Sequence, residues 1–151
     1  MKRKAFKKAL AESIQSPGDP NLCGKVMSCI PVEEQPRFLL GVARLACEDI
    51  LPEICSELEV CFSSTESMSK AKDFFHRLRE VRLKTLHERE RRIVGIIEKS
   101  AKLAYNLTRP PDSFDKNAGN GFMQDLCQVV NAGRAEFVVE QAYLNTAERL
   151  H

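Results

Sequence analysis

The sequence predicts an all-α protein, a single-domain helical bundle or array of about six helices around one long central helix. Residues 67–108 contain no proline and a single glycine, Gly95. Apolar residues recur there at three- and four-residue steps through Ala71, Phe74, Phe75, Leu78, Val81, Leu86, Ile93, Ile96, Ile97, Ala101, Ala104 and Leu107, which is helical periodicity. Composition agrees: hydrophobic residues make up 43% and charged residues 29% of 151 positions, with seven Gly, seven Pro and no Trp. Those are globular values, and a chain of ~150 residues can bury ~70% of its unfolded surface around one core. Residues 1–151 are therefore read as one domain, with 1–15 a basic amphipathic helix at its edge.

Over 2–15, Ala5, Phe6, Ala9, Leu10 and Ile14 share a helical face, and Lys4, Lys7, Lys8 and Glu12 lie off it. Residues 16–21, SPGDPN, break the helix, and 22–30 suffice for one or two turns before Pro31. A clearer helix starts near Glu34 or Gln35, because Pro36 is tolerated only in a first turn. Its stripe is Phe38, Leu39, Val42, Leu45 and Ala46, continued by Ile50, Leu51, Ile54, Cys55, Leu58 and Cys61. Pro52 inside an unbroken helix would cost ~3 kcal/mol, so a bend is placed at 49–52. Ser63 precedes Glu66 by three residues, the capping-box spacing, so the long helix is expected to begin at Ser64. Its stripe thins between Leu86 and Ile93, where Arg89 takes an inward position, and Gly95 is the candidate for a break. Arg109, Pro110 and Pro111 end it. Helical spacing resumes over 122–132 with Phe122, Leu126 and Val129 or Val130, and Gly133 is assigned as its C-terminal cap. A last helix over 134–150 is expected to turn Phe137, Val138, Ala142 (or Gln141), Leu144 and Ala147 inward.

Net charge is +2, but its distribution is uneven. Residues 1–8 carry five cations and no acid, 33–66 carry eight acids and two cations, and 67–109 carry twelve cations and five acids. An acidic helical pair lying against a basic long helix accounts for this internally. A docking surface for an acidic partner or a phosphate backbone is the alternative, built on Arg77, Arg82, Arg89, Arg91 and Arg92, with Arg79 and Lys84 nearby. No aromatic residues interleave these arginines, and Glu88 and Arg92 have the i,i+4 spacing of a local pair.

Cys23, Cys29, Cys47, Cys55, Cys61 and Cys127 are even in number, which invites disulfides. The basic N-terminus lacks the apolar run of a secretory signal and no segment approaches ~18 apolar residues, so a cytoplasmic, reducing location is expected. Buried thiols follow from that location. Metal ligands are not expected: Cys23 and Cys29 lack zinc-knuckle spacing, and on a continuous helix His76 and His87 would stand about 16 Å apart. Cofactor and catalytic motifs such as a P-loop or G-x-S-x-G do not occur in the sequence.

Ala101, Lys102, Tyr105 and Asn106, followed by Phe114, Asp115 and Gly119, carry the pattern A-K-x-x-Y-N leading into P-x-x-F-D-x-x-x-G. This resembles a motif of small uncharacterised bacterial helical proteins with no established activity. It covers about one seventh of the chain and departs after the glycine, where Asn120 and Gly121 stand in place of an aromatic pair. The resemblance implies a fixed loop in which Tyr105 and Asn106 reach toward Phe114 and Asp115.

These readings favour a non-enzymatic protein-interaction domain: a cytosolic adaptor, regulator or immunity-type binding protein. A nucleic-acid-binding module using the basic face of 77–92 is the first alternative. A ligand-binding or enzymatic bundle centred on 105–115 is the second.

Overall fold

The computed structural model describes residues 3–50, 52–60, 67–81, 87–107 and 118–149. The protein is all-α: these residues form eight α-helices, one 3-10 turn and no strand. In order they are α1 (Arg3–Gln15), α2 (Pro20–Ser28), the 3-10 turn Val32–Glu34, α3 (Gln35–Ile50), α4 (Pro52–Val60), α5 (Ser67–Val81), α6 (Glu88–Leu107), α7 (Phe122–Val129) and α8 (Ala132–Arg149).

Local chemistry sets most boundaries. Asp19, inside the 16–21 breaker, caps α2 by accepting from the Asn21 amide at 2.9 Å, and Pro20 fills the first helical position. Pro36 falls in the first turn of α3, and α4 starts at Pro52, where the bend was expected. Asn131 starts α8, its side-chain oxygen accepting from the Arg134 amide at 2.8 Å. Gly133 therefore lies in the first turn of α8 and caps nothing; α7 ends instead at Val130, in extended conformation.

Residues 67–108 are two helices rather than one. α5 stops at Val81, α6 starts at Glu88, and the two pack side by side, which a single straight helix cannot do. The thinned stripe between Leu86 and Ile93 falls on the first turns of α6 rather than on the junction. At its described end Glu90 accepts from the His87 amide at 3.3 Å, half of a capping box. Gly95 sits well inside α6, so it marks no break; a Cβ there would lie 3.4 Å from Oδ2 of Asp125, and the glycine lets α7 approach. The expected start at Ser63 or Ser64 lies outside the described residues.

The centre of the fold is the seam between α3 and α6. α3 buries Phe38, Leu39, Leu40, Val42, Ala43 and Cys47, and α6 buries Ile93, Ile96, Ile97 and Leu103. Ser100 crosses the seam to donate its hydroxyl to the Pro36 carbonyl at 2.7 Å. α5 and α7 flank α6; α4 and α8 flank α3; α1 packs on α2, α7 and α8.

Four rings tie the outer helices to the seam. Tyr143 of α8 stacks on Phe6 of α1 with centroids 4.0 Å apart, Phe6 meets Phe38 edge-on at 6.4 Å, and Phe38 meets Phe122 edge-on at 5.9 Å. α1 thus contributes Phe6 and Leu10 to the main core, with its lysines outside.

The α8 stripe keeps the expected Val138 and Ala142 but not Phe137. Ala135, Val138, Val139, Ala142 and Tyr143 are buried, and Phe137 points outward. Small Ala135 and Ala142 let α8 lie close against α3, which a phenylalanine on that face would prevent.

Candidate functional site

The four described candidate arginines, Arg77, Arg89, Arg91 and Arg92, do not gather on one face. Arg89, instead of filling a core position, donates Nε and Nη2 to the Val129 carbonyl at 3.2 and 2.8 Å. That bond satisfies a carbonyl at the C-terminal end of α7. Arg92 bridges Glu88 at 3.3 Å and Asp125 at 3.2 Å, and both carboxylates hold its guanidinium above its ordinary pKa, Asp125 most strongly. Lys99 reaches the other oxygen of Asp125 at 2.8 Å. Arg77 stands on α5 with its guanidinium 5.8 Å from the Phe74 ring and 3.9 Å from Glu57. Arg91 is exposed, and Arg82 lies outside the described residues.

Charge neutralisation therefore differs from the expected acidic pair against a basic helix. Among the described ion pairs only Arg77 with Glu57 joins α5 or α6 to the acidic segment. Arg92, Lys99 and Lys102 of α6 are met by Asp125 of α7 and by acids on α6 itself.

The motif residues also part company. Asn106 is buried at the end of α6, whereas its neighbour Tyr105 is 41% exposed, with the Lys72 ammonium 4.2 Å from its ring centre. A lysine of α5 thus occupies one side of Tyr105. Gly119 is buried, and a Cβ on it would come within 2.7 Å of the Met27 methyl, so a larger residue here would displace the end of that side chain on α2. Phe114 and Asp115 lie outside the described residues.

The cysteines are free thiols where described. Burial pushes Cys47 up to about 12, with nearby Cys55 adding to the rise. Burial also raises Cys23, although amides of 121–123 and Lys99 pull the other way. No group of three or more His, Cys, Asp or Glu able to hold a metal occurs among the described residues.

A different site emerges from packing. A cleft of about 270 Å³ opens between α3, α4 and the C-terminal half of α8, lined by Arg37, Gly41, Arg44, Leu45, Glu59, Ala142, Asn145 and Thr146. Arg37, Gly41, Arg44 and Leu45 recur at helical spacing on α3 and form one wall. Arg37 is buried, its Nε 3.9 Å from Glu34. Arg44 donates Nε and Nη2 to a single oxygen of Glu59, at 3.1 and 2.6 Å. That hydrogen bond raises the Arg44 guanidinium above its ordinary pKa. On the opposite wall Gln141 donates to the Asn145 carbonyl oxygen at 3.0 Å, which leaves the Asn145 amide hydrogens available. Thr146 donates to the Ala142 carbonyl at 2.9 Å and keeps its lone pairs.

One turn before Gln141 on the same side of α8 is Phe137, 53% exposed and the most exposed large apolar side chain described. The Arg134 guanidinium lies 5.2 Å from its ring centre. Leu144, two turns on from Phe137, is only partly buried. Comparison with protein-family models, curated proteins and solved structures finds no match to this chain.

Proposed function

We propose that the chain is a non-enzymatic protein-interaction domain, a cytosolic adaptor, regulator or neutralising protein, that docks its partner on the outer flank of α8. The supporting observation is Phe137. An aromatic ring held in solvent at the side of a helix whose inner face is complete contributes nothing to the core, and aromatic residues beside arginines are the side chains that anchor protein interfaces. A cleft lined in part by Asn145, two turns further along α8, supplies relief and polar groups from the same helix. A nucleic-acid role gains less support, because Arg89 and Arg92 are engaged by α7 rather than presented to a phosphate backbone.

The test is recovery of a stoichiometric protein partner by the wild-type chain and by Arg91→Ala, with loss in Phe137→Ser. Phe137 is exposed, so the serine variant should fold, and circular dichroism verifies this. Equal recovery by Phe137→Ser refutes the assignment, as does a recovered species that is nucleic acid and leaves at raised salt.

A further inference from the structure

The geometry points to the cleft between α3, α4 and α8 as a receptor for one acidic side chain of a partner protein, with Arg44 as its anchor and Glu59 as a built-in competitor. This rests on the reading of the chain as a protein-binding domain and names the chemistry that it selects.

Volume sets the class of occupant. Ligand and cofactor pockets usually span about 300–1,000 Å³. At about 270 Å³ this cleft is suited to a single side chain inserted from outside. Its floor, Gly41, Leu45 and Ala142, is apolar enough for the methylenes of a glutamate. Above that floor the Arg44 guanidinium and the Asn145 amide supply donors, with Glu59 as the charged acceptor already present.

Glu59 shows what Arg44 accepts, and also why the pair is exchangeable. Both Arg44 donors fall on Oε1, so the second carboxylate oxygen is unused and the parallel two-bond geometry that favours arginine with carboxylate is not made. Glu59 also sits in the last turn of α4, a helix with no basic residue there, where the carbonyl end of the dipole disfavours negative charge. Its side chain is 54% exposed and free to swing into water. An entering carboxylate can engage both donors of Arg44 and take a third bond from Asn145, with no helix end opposing it.

The experiment is titration of the ¹⁵N-labelled full chain with the blocked tripeptide acetyl-Leu-Glu-Leu-amide, followed by NMR, beside its Gln counterpart. The glutamate peptide is expected to shift the Arg44 Nε–H and Asn145 side-chain amide signals, and the glutamine peptide is not. Glu59→Gln removes the competitor and should tighten binding about two- to fivefold, the range corresponding to one exposed ion pair. Arg44→Gln should abolish the shifts while the rest of the spectrum stays dispersed. Equal response to both peptides, shifts mapping elsewhere, or no gain in Glu59→Gln overturns the assignment. If the shifts fail while Phe137-dependent capture of a partner persists, only this inference falls. If that capture fails as well, the protein-binding reading falls with it.

Discussion

Truncating Phe6 to alanine probes the packing most directly, because one ring joins three helices. The side chain is fully buried, stacked on Tyr143 at 4.0 Å and edge-on to Phe38 at 6.4 Å. Removing a buried phenylalanine costs ~3–5 kcal/mol in transfer and cavity terms. Ring pairs contribute ~0.5–1.5 kcal/mol each beyond area, so Phe6→Leu, which keeps apolar volume and loses both pairs, should cost ~1–3 kcal/mol. Against a total stability of ~5–15 kcal/mol, the alanine variant loses a large share. For a domain of this length its Tm should fall by about 10 °C. Urea unfolding followed by far-UV circular dichroism measures both variants, with an unchanged m-value marking the loss as stability alone. A Phe6→Ala chain within ~0.5 kcal/mol of wild type, below even the ring-pair term, would show that α1 is not seated on Tyr143 and Phe38.

Three further outcomes are expected. Ser13 is fully buried, and its hydroxyl has no hydrogen-bond partner among the described residues, so Ser13→Ala should be neutral or raise the Tm; a loss above ~1 kcal/mol would reveal a bond to that oxygen. Gly121 caps α7 at φ +87°, so Gly121→Ala should cost ~1–2 kcal/mol and Gly121→Asn less, and equal losses by denaturation would deny a conformational cause. The Cys47 thiol is raised from 9.0 to about 12, so the folded state favours its protonated form; stability from this group is full below pH 9 and is lost as pH rises toward 12. Cys47 should accordingly resist iodoacetamide at pH 8.5 while Cys127, only half-buried, reacts; mass mapping that finds Cys47 labelled first would contradict its burial.

Helix identity was legible wherever proline or period decided it. Pro36 and Pro52 place the start of α3 and the break before α4 because ring closure and the missing donor act locally, whatever surrounds them. The gap between α5 and α6 carried no such residue. The separation is a tertiary fact, since α5 packs beside α6, and the thinned stripe before Ile93 belongs to the first turns of α6. In α8 the stripe through Val138 and Ala142 was legible, but it could widen through Phe137 and Leu144 or through Ala135, Val139 and Tyr143. Hydrophobicity favours the first, yet close approach to α3 selects the second. Arg89 and Arg92 looked like a free basic face because their acceptors, the Val129 carbonyl and Asp125, lie 40 and 33 positions away. The cleft was invisible for the same reason, since Arg44, Glu59 and Asn145 meet only after α4 and α8 have settled on either side of α3.

The bond from Ser100 to the Pro36 carbonyl spans 64 positions, and it sits in the seam that α4, α5, α7 and α8 flank. Neighbours in sequence such as α1 with α2, or α3 with α4, can pair early by short-range search, but α3 cannot meet α6 until most of the chain has been synthesised. A nascent chain halted after α4 would hold the apolar side of α3 uncovered. Residues 88–107 thus decide whether the apolar side of the first third is covered, and ribosome-bound truncations should bind chaperones until α6 emerges.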